Sequence, residues 1–162
     1  MEYRTENLIL RFVTEEDLAE VARTWPADRR PVSTEEARAA VSRMKENHGR
    51  NEKGRLRHLC LAVCGKDDPR TVMGWCGLDG RRDPAEPELF ILLDGEYRNK
   101  GYGTQCAREL LRIAEEEFSL TGVHGGCAKE NAASRRVMEK AGMVQYGTEE
   151  NGDPLFRYRA KR

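Results

Sequence analysis

The stretch ELFILLDGEYRNKGYGTQ, residues 88 to 105, passes from an unbroken apolar run into a polar loop with two glycines one residue apart. Directly after it, CARELLRIAEEEF (106–118) places Cys106, Ala107, Leu110, Leu111, Ala114 and Phe118 on one helical stripe. The reading is strand, loop, helix, with the helix beginning at about Gly103 or Thr104. The first four N–H groups of such a helix have no intrahelical acceptor, and with the positive end of the helix dipole they form an anion site. Glycines at 101 and 103 remove Cβ atoms that would hold a phosphate off those amides, and they permit unusual φ. Arg98 and Lys100 add positive charge at the rim. A pyrophosphate suits this loop, and so does a plain soluble turn, because short glycine patterns serve both. A Rossmann fingerprint would need a third glycine where Cys106 stands, and no GxxxxGK[ST] occurs, so dinucleotide or ATP binding by those routes is disfavoured.

Outward from this stretch the chain alternates β-like and helical segments. NLILRF (7–12) reads as a strand. TEEDLAEVART (14–24) follows as a short helix with Thr14 and Asp17 as a reciprocal cap, ended by Trp25-Pro26. STEEARAAVSRMKEN (33–47) repeats the device with Ser33 and Glu36, and HGRNEKGRLR (48–57) reads as a solvated loop. HLCLAVC (58–64) and TVMGWCGL (71–78) form a hairpin pair, and ELFILL, lacking alternation, reads as a central strand covered on both faces. VHGGCA (123–128) is a weak strand. NAASRRVMEKAG (131–142) is a helix starting at Asn131 and stopping at Gly142, and MVQYGTE and PLFRYR close the chain around the turn ENGD. The expected order is β α α β β β α β α β β, one α+β domain over residues 1–162.

The totals exclude several classes. Lys plus Arg equals Asp plus Glu at 28 each, without the basic excess of a nucleic-acid binder, so no nucleic-acid partner is expected. No run approaches the ~18 apolar residues of a membrane span, and MEYRTENLIL has neither a basic start nor a small-residue cleavage site, so no membrane partner is expected. The five cysteines have no CxxC spacing and do not cluster with His48, His58 or His124, which points to buried free thiols in a reducing, cytoplasmic setting and to no metal site.

The segment Arg98-Asn99-Lys100-Gly101-Tyr102-Gly103 resembles the acetyl-CoA loop of the GNAT superfamily of N-acetyltransferases, [Q/R]xxGx[G/A]. ELFILLDGEYRNKGYGTQCARELL is similar to the strand, loop and helix of its ribosomal-protein-acetyltransferase-like branch. NAASRRVMEKAGM resembles that branch's N..S...E..GF helix, and ENLILRFVTEEDL its opening strand and helix. The resemblance implies a GNAT fold, a mixed, mostly antiparallel central sheet flanked by about four helices. It also implies acetyl-CoA as cosubstrate, with the amides of Asn99 to Thr104 on the pyrophosphate and the strand at Leu92 and Leu93 paired with the pantetheine. Asn131 would then bond the cofactor arm and Ser134 would lie near the phosphates or adenosine end. From residues alone, the alternatives are a plain N-cap for Asn131 and an exposed helix residue for Ser134.

Acetyl transfer needs a neutral amine, whereas a free alkylamine has a pKa of ~10 and is mostly protonated at neutral pH. Glu88, opening the central strand where several GNAT enzymes carry a glutamate, is the candidate base, acting through water; a solvated strand-edge carboxylate is the alternative. The resemblance places the oxyanion donor at an amide near Leu92. Where many family members have a tyrosine acid, this chain has Met138, which leaves Ser134, Tyr102 or unaided thiolate departure. The loop TWPADRRPV (24–32) is expected to shape the acceptor pocket, with Trp25, Trp75, Arg29 and Arg30 as candidates. The function implied is transfer of acetyl to a primary amine, on a small molecule or a protein N-terminus, by direct attack in a ternary complex of a monomer or homodimer. The alternative is a GNAT-fold module that binds acyl-CoA without turnover, and a third reading uses the loop for ATP or NAD.

Overall fold

The strand best covered on both faces is HLCLAVCG, His58–Gly65 (β3), not ELFILL. Its Leu59, Leu61 and Val63 pack in one core and its Cys60, Ala62 and Cys64 in another, all fully buried. The period of two along a strand sends these two sets to opposite faces. The computed structural model describes residues 2–25 and 30–161. Its strands are β1 (Glu2–Arg4), β2 (Leu8–Phe12), β3, β4 (Asp68–Asp79), β5 (Glu88–Leu93), β6 (Gly122–Gly126), β7 (Val144–Thr148) and β8 (Pro154–Arg159). Its helices are α1 (Leu18–Thr24), α2 (Thr34–Gly49), α3 (Tyr102–Arg112) and α4 (Ala132–Ala141). The strands make one sheet in the order β1-β2-β3-β4-β5-β6-β8-β7, antiparallel except for β5 against β6.

α1 and α2 cover one face, where Val21, Ala37, Val41 and Met44 meet Cys60, Ala62 and Trp75. α3 and α4 cover the other through Cys106, Leu110, Leu111 and Met138. The expected caps form. Thr14 and Asp17 make the reciprocal box, Ser33 accepts from Glu36 N–H, and Gly142 ends α4 at φ 100°. Asp17 is buried and held on Arg11 by two bonds of 2.8 and 2.9 Å and on Thr14 N–H. Burial pushes this carboxyl up, but the Arg11 and Thr14 bonds outweigh it and hold it below the usual range.

Three expectations need correction. β1 is an added strand that the sequence reading omitted, because only Tyr3 among its three residues points inward. β4 begins at Asp68 rather than Thr71, leaving a two-residue turn at Lys66-Asp67. β5 is only half-buried over Leu89 to Leu92, since part of it faces a cleft.

His48, near the end of α2, accepts the Cys60 N–H on Nε2 at 3.1 Å and lies 4.6 Å from the Phe12 ring. Burial, and then the neighbouring His58, lower it from its ordinary 6.5 to about 4. The unfolded imidazole therefore takes up a proton near pH 6.5 and the folded one only near pH 4, so stability falls as pH falls through that window. Urea unfolding between pH 7 and pH 4.5 should show this, at up to about 1.4 kcal/mol per pH unit for one group. His48→Gln, whose carbonyl can still accept from Cys60 N–H, should remove that share of the slope. An unchanged slope in the variant would show that His48 does not carry it.

Candidate active site

β5 ends at Leu93. Asp94 N–H bonds Met73 C=O at 2.9 Å, Gly95–Tyr97 make a 3₁₀ turn, and Arg98 Nε returns to Leu93 C=O at 3.2 Å. Asn99 and Gly101 then take left-handed backbone, φ 61° and 81°, on either side of Lys100. Such alternation turns successive N–H groups inward as an anion-binding concavity. α3 starts at Tyr102, one residue earlier than expected, with no side-chain cap and no acidic residue in its first turn. By contrast, α2 and α4 are capped by Ser33 and Asn131. The Gln105 amide anchors this helix start, accepting from Thr5 Oγ1 and Asn7 N–H and donating to Asn7 Oδ1.

The loop overhangs a cleft of about 720 Å³ between β5, the start of α3 and α4. Glu88, Leu92 and Leu93 line it from the strand. Arg98, Asn99, Gly101, Tyr102, Gly103 and Thr104 line it from the loop and helix, and Asn131 and Ser134 from α4. Lys100 is exposed outside it.

The cleft exists because β5 and β6 share a single register pair, Glu88 with His124, beside which His124 N–H donates to Pro87 C=O. Antiparallel pairing alternates, so the Asp94–Met73 bond turns the peptide groups of Leu92, Phe90 and Glu88 toward β4. Those of Leu93, Ile91 and Leu89 turn toward β6. The amide of Leu92 itself therefore points into the sheet, and of the amides near it those aimed at the open side belong to Ile91 and Leu93.

The same register reveals what sequence reasoning missed. His58, Asp79, Glu88, His124 and Arg157 are successive partners across β3, β4, β5, β6 and β8, so five ionisable side chains stand in one row on the α1–α2 face. Glu86 accepts from Arg157 at 2.5 and 2.7 Å and meets His124 Nε2 at 3.0 Å, while Tyr146 Oη lies 3.3 Å from His124 Nδ1. Burial pushes Glu86 up, but the bonds from Arg157 and then His124 hold it below the usual range. Asp83, Glu86 and His124 donor atoms lie within 4.8 Å of one another, yet both Glu86 oxygens are occupied by Arg157. Glu88 itself is exposed. Of the row, only Glu88 was singled out from sequence, and its four partners come to it through strand register alone.

An acetyltransferase (GNAT) domain model matches residues 7–144. The chain belongs to the GNAT acetyltransferase family. It is 35% identical over 60 residues to an uncharacterized N-acetyltransferase, YnaD, of Bacillus subtilis (strain 168); that stretch is 37% of this chain and 35% of the relative, so about a third of that protein is matched. The fold is similar to ribosomal-protein-S5-alanine acetyltransferase from Vibrio fischeri, with TM-score 0.80, 16% identity, and 99% and 97% of the two chains covered. It is also similar to RimL, a ribosomal L7/L12 alpha-N-protein acetyltransferase solved with coenzyme A, with TM-score 0.76, 15% identity, and 99% and 98% covered.

Within this GNAT fold, α4 forms the far wall. Asn131 is a true N-cap, its Oδ1 accepting Ser134 N–H at 3.0 Å, and it lines the cleft as well. Met138, where the family resemblance puts a tyrosine, is 3% exposed. Gly125 of β6 makes room for it, since a Cβ there would lie 2.8 Å from the Met138 sulfur. On the acceptor side, Trp75 is fully buried and its Nε1–H donates to Thr24 Oγ1 at 2.9 Å, a packing role. Trp25 sets its ring edge-on to Trp75, Phe90 and His58 at 6.0 to 6.4 Å. Arg30 is exposed, and Arg29 lies outside the described residues.

The two loop glycines serve different ends. Gly101 has open space around its missing Cβ but φ 81°, whereas a Cβ on Gly103 would stand 3.2 Å from Val137 Cγ2 of α4. Gly103→Val should therefore destabilise the fold by about 1–3 kcal/mol through overpacking, and Val137→Ala in the same chain should relieve it. Gly101→Val should cost about 1–2 kcal/mol in backbone strain that Val137→Ala does not relieve. Urea unfolding of the four variants checks this, and equal rescue of both glycine variants would refute the distinction.

Proposed function

We propose that the protein is an acetyl-CoA-dependent N-acetyltransferase that moves acetyl to a primary amine within a ternary complex. One observation carries this reading: an uncapped helix start and left-handed loop overhang a cleft whose opposite wall is the freed edge of β5. The amides from Asn99 to Thr104 would hold the pyrophosphate of acetyl-CoA, aided by Arg98 at the rim. Ile91 and Leu93 offer the peptide groups to which an extended pantetheine can pair like an added strand. Asn131 Nδ2 remains able to donate to it, its Oδ1 being used by the cap.

Glu88 stands where the two strands close, at the inner end of this track. As a carboxylate it would take the proton of the incoming ammonium through water, leaving nitrogen free to attack the thioester carbonyl. The C–N bond forms, the oxyanion is met by an Ile91 or Leu93 N–H, and collapse breaks the C–S bond. The thiolate then takes up the proton surrendered by nitrogen, with no side-chain acid demanded of Met138. Orientation of the two substrates supplies much of the rate.

Met138 and the exposed Glu88 favour a second reading, a module that binds acyl-CoA without turnover. The two readings separate on thiol release. Thermal unfolding with saturating acetyl-CoA should show stabilisation of about 2.7 kcal/mol at 100 times the dissociation constant, with none from ATP or NAD. An amine panel should then accelerate thiol release, and Glu88→Gln should lower kcat by about 10² or more while leaving acetyl-CoA affinity unchanged. Binding without amine-dependent release would favour the module, and no stabilisation by acetyl-CoA would sink both readings.

A further inference from the structure

A second cavity, of about 770 Å³, opens on the α1–α2 face beside the row of ionisable residues, and its charge is one-sided. Arg43 reaches it from α2 and Arg50 from the residue that caps that helix, Arg55 and Arg57 from the segment before β3, and Arg81 from the turn after β4. Leu56 is fully buried, so backbone alternation sends Arg55 and Arg57 outward together. Arg50 is paired with Glu46 at 2.7 Å and Arg81 with Asp79 at 2.5 Å. Arg43, Arg55 and Arg57 have no ion pair among the described residues, and Glu52 is the one unpaired acid in the lining. The chain as a whole is neutral, so this local excess does not follow from overall basicity.

The cavity lies next to the cleft proposed for acetyl-CoA, across one layer of rings. Trp25 and His58 line it, the His58 ring stacks on Phe90 at 5.7 Å and 29°, and Phe90 lines the cleft. From His58 to Glu88 the row crosses two strand spacings, about 10 Å. A cavity of this size suits a small ligand.

We propose that the acceptor amine carries an oxyanion roughly 10 Å or more from its nitrogen, a carboxylate or a phosphate, seated beyond His58 on Arg43, Arg55 and Arg57 while the amine lies at Glu88. Arginine forks match both anions in geometry and stay charged at any working pH. This rests on the acetyltransferase reading above, and it adds the substrate class that the reading leaves open.

The test uses the full chain saturated with CoA and three probes with amidated C-termini, so that the third side chain carries the only anion: the tripeptide amides of Ala-Ala-Glu, Ala-Ala-Gln and Ala-Ala-phosphoserine. In each, the third side chain lies about 10 Å from the amine. Affinities are measured by titration calorimetry at low salt, about 20 mM, and again at about 300 mM, where screening is strong. The acidic peptides should bind about tenfold tighter than Ala-Ala-Gln. That advantage should shrink with salt and vanish in the Arg43→Gln/Arg57→Gln variant, while Arg43→Lys/Arg57→Lys retains part of it. Phosphoserine ahead of glutamate assigns the anion as phosphate, and the reverse assigns it as carboxylate. No advantage for the acidic peptides, an advantage that survives the glutamine variant, or no binding by any of the three would overturn the proposal. Stabilisation by acetyl-CoA, measured on the same samples, shows separately whether the acetyltransferase reading stands. Retained cofactor binding without charge discrimination removes only the acceptor proposal.

Discussion

Between β5 and β6 a single pair, Glu88 with His124, is in register, and the functional geometry depends on the strands parting there. Each is bound more extensively on its other side, β5 to β4 through six pairs and β6 to β8 through five, so neither can follow the other without losing a ladder. The glycines of β6 assist, because Gly125 lets the sulfurs of Met138 and Met143 come up beneath the strand. An interior gap with free peptide groups would be costly if nothing filled it. Here it opens on a cleft that a polar, extended ligand can enter.

Positive charge is distributed according to this geometry. At the mouth of the cleft it comes from oriented backbone, the uncapped start of α3 and the left-handed residues 99 and 101, with Arg98 tied back to Leu93 C=O. On the opposite face of the sheet it comes from arginine side chains around the second cavity. Peptide dipoles are rigid and suit a fixed, common group such as a pyrophosphate, whereas arginine forks on exposed stems suit a group whose position varies. Elsewhere the charges are neutralised locally, as in the buried Arg11–Asp17 pair and the Arg157–Glu86–His124 cluster.

The row His58, Asp79, Glu88, His124, Arg157 joins these two regions. It brings a candidate base between Asp79 and His124, the latter held by Glu86 and Tyr146, with His58 one strand further and stacked on Phe90. Membership of the GNAT family accounts for the cleft and its loop. The row and the arginine cavity are features of this chain's own side chains, and in the proposed reading they bear on the acceptor rather than on the cofactor.

Much of this was legible in the sequence because it is local. Apolar periodicity marked α2, α3 and α4, the residues Ser33, Asn131 and Gly142 marked ends of α2 and α4 while Thr14 marked the turn into α1, and ELFILL followed by RNKGYG marked the strand, loop and helix. Every residue expected to face the cofactor except Lys100 lines one cleft; those from Leu92 to Thr104 do so as one continuous stretch, and Asn131 and Ser134 are brought to it by the packing of α4. What the tertiary structure decided is register and approach. Only the pairing of distant strands puts residues 58, 79, 88, 124 and 157 in a row, turns the amide of Leu92 away from the cleft, and shows that Gly103 lacks a side chain because Val137 is there. Hydrophobic period sets which face a residue takes within its own strand. A shift of two residues in pairing keeps every face while changing every neighbour, so the neighbours are fixed only by the assembled sheet.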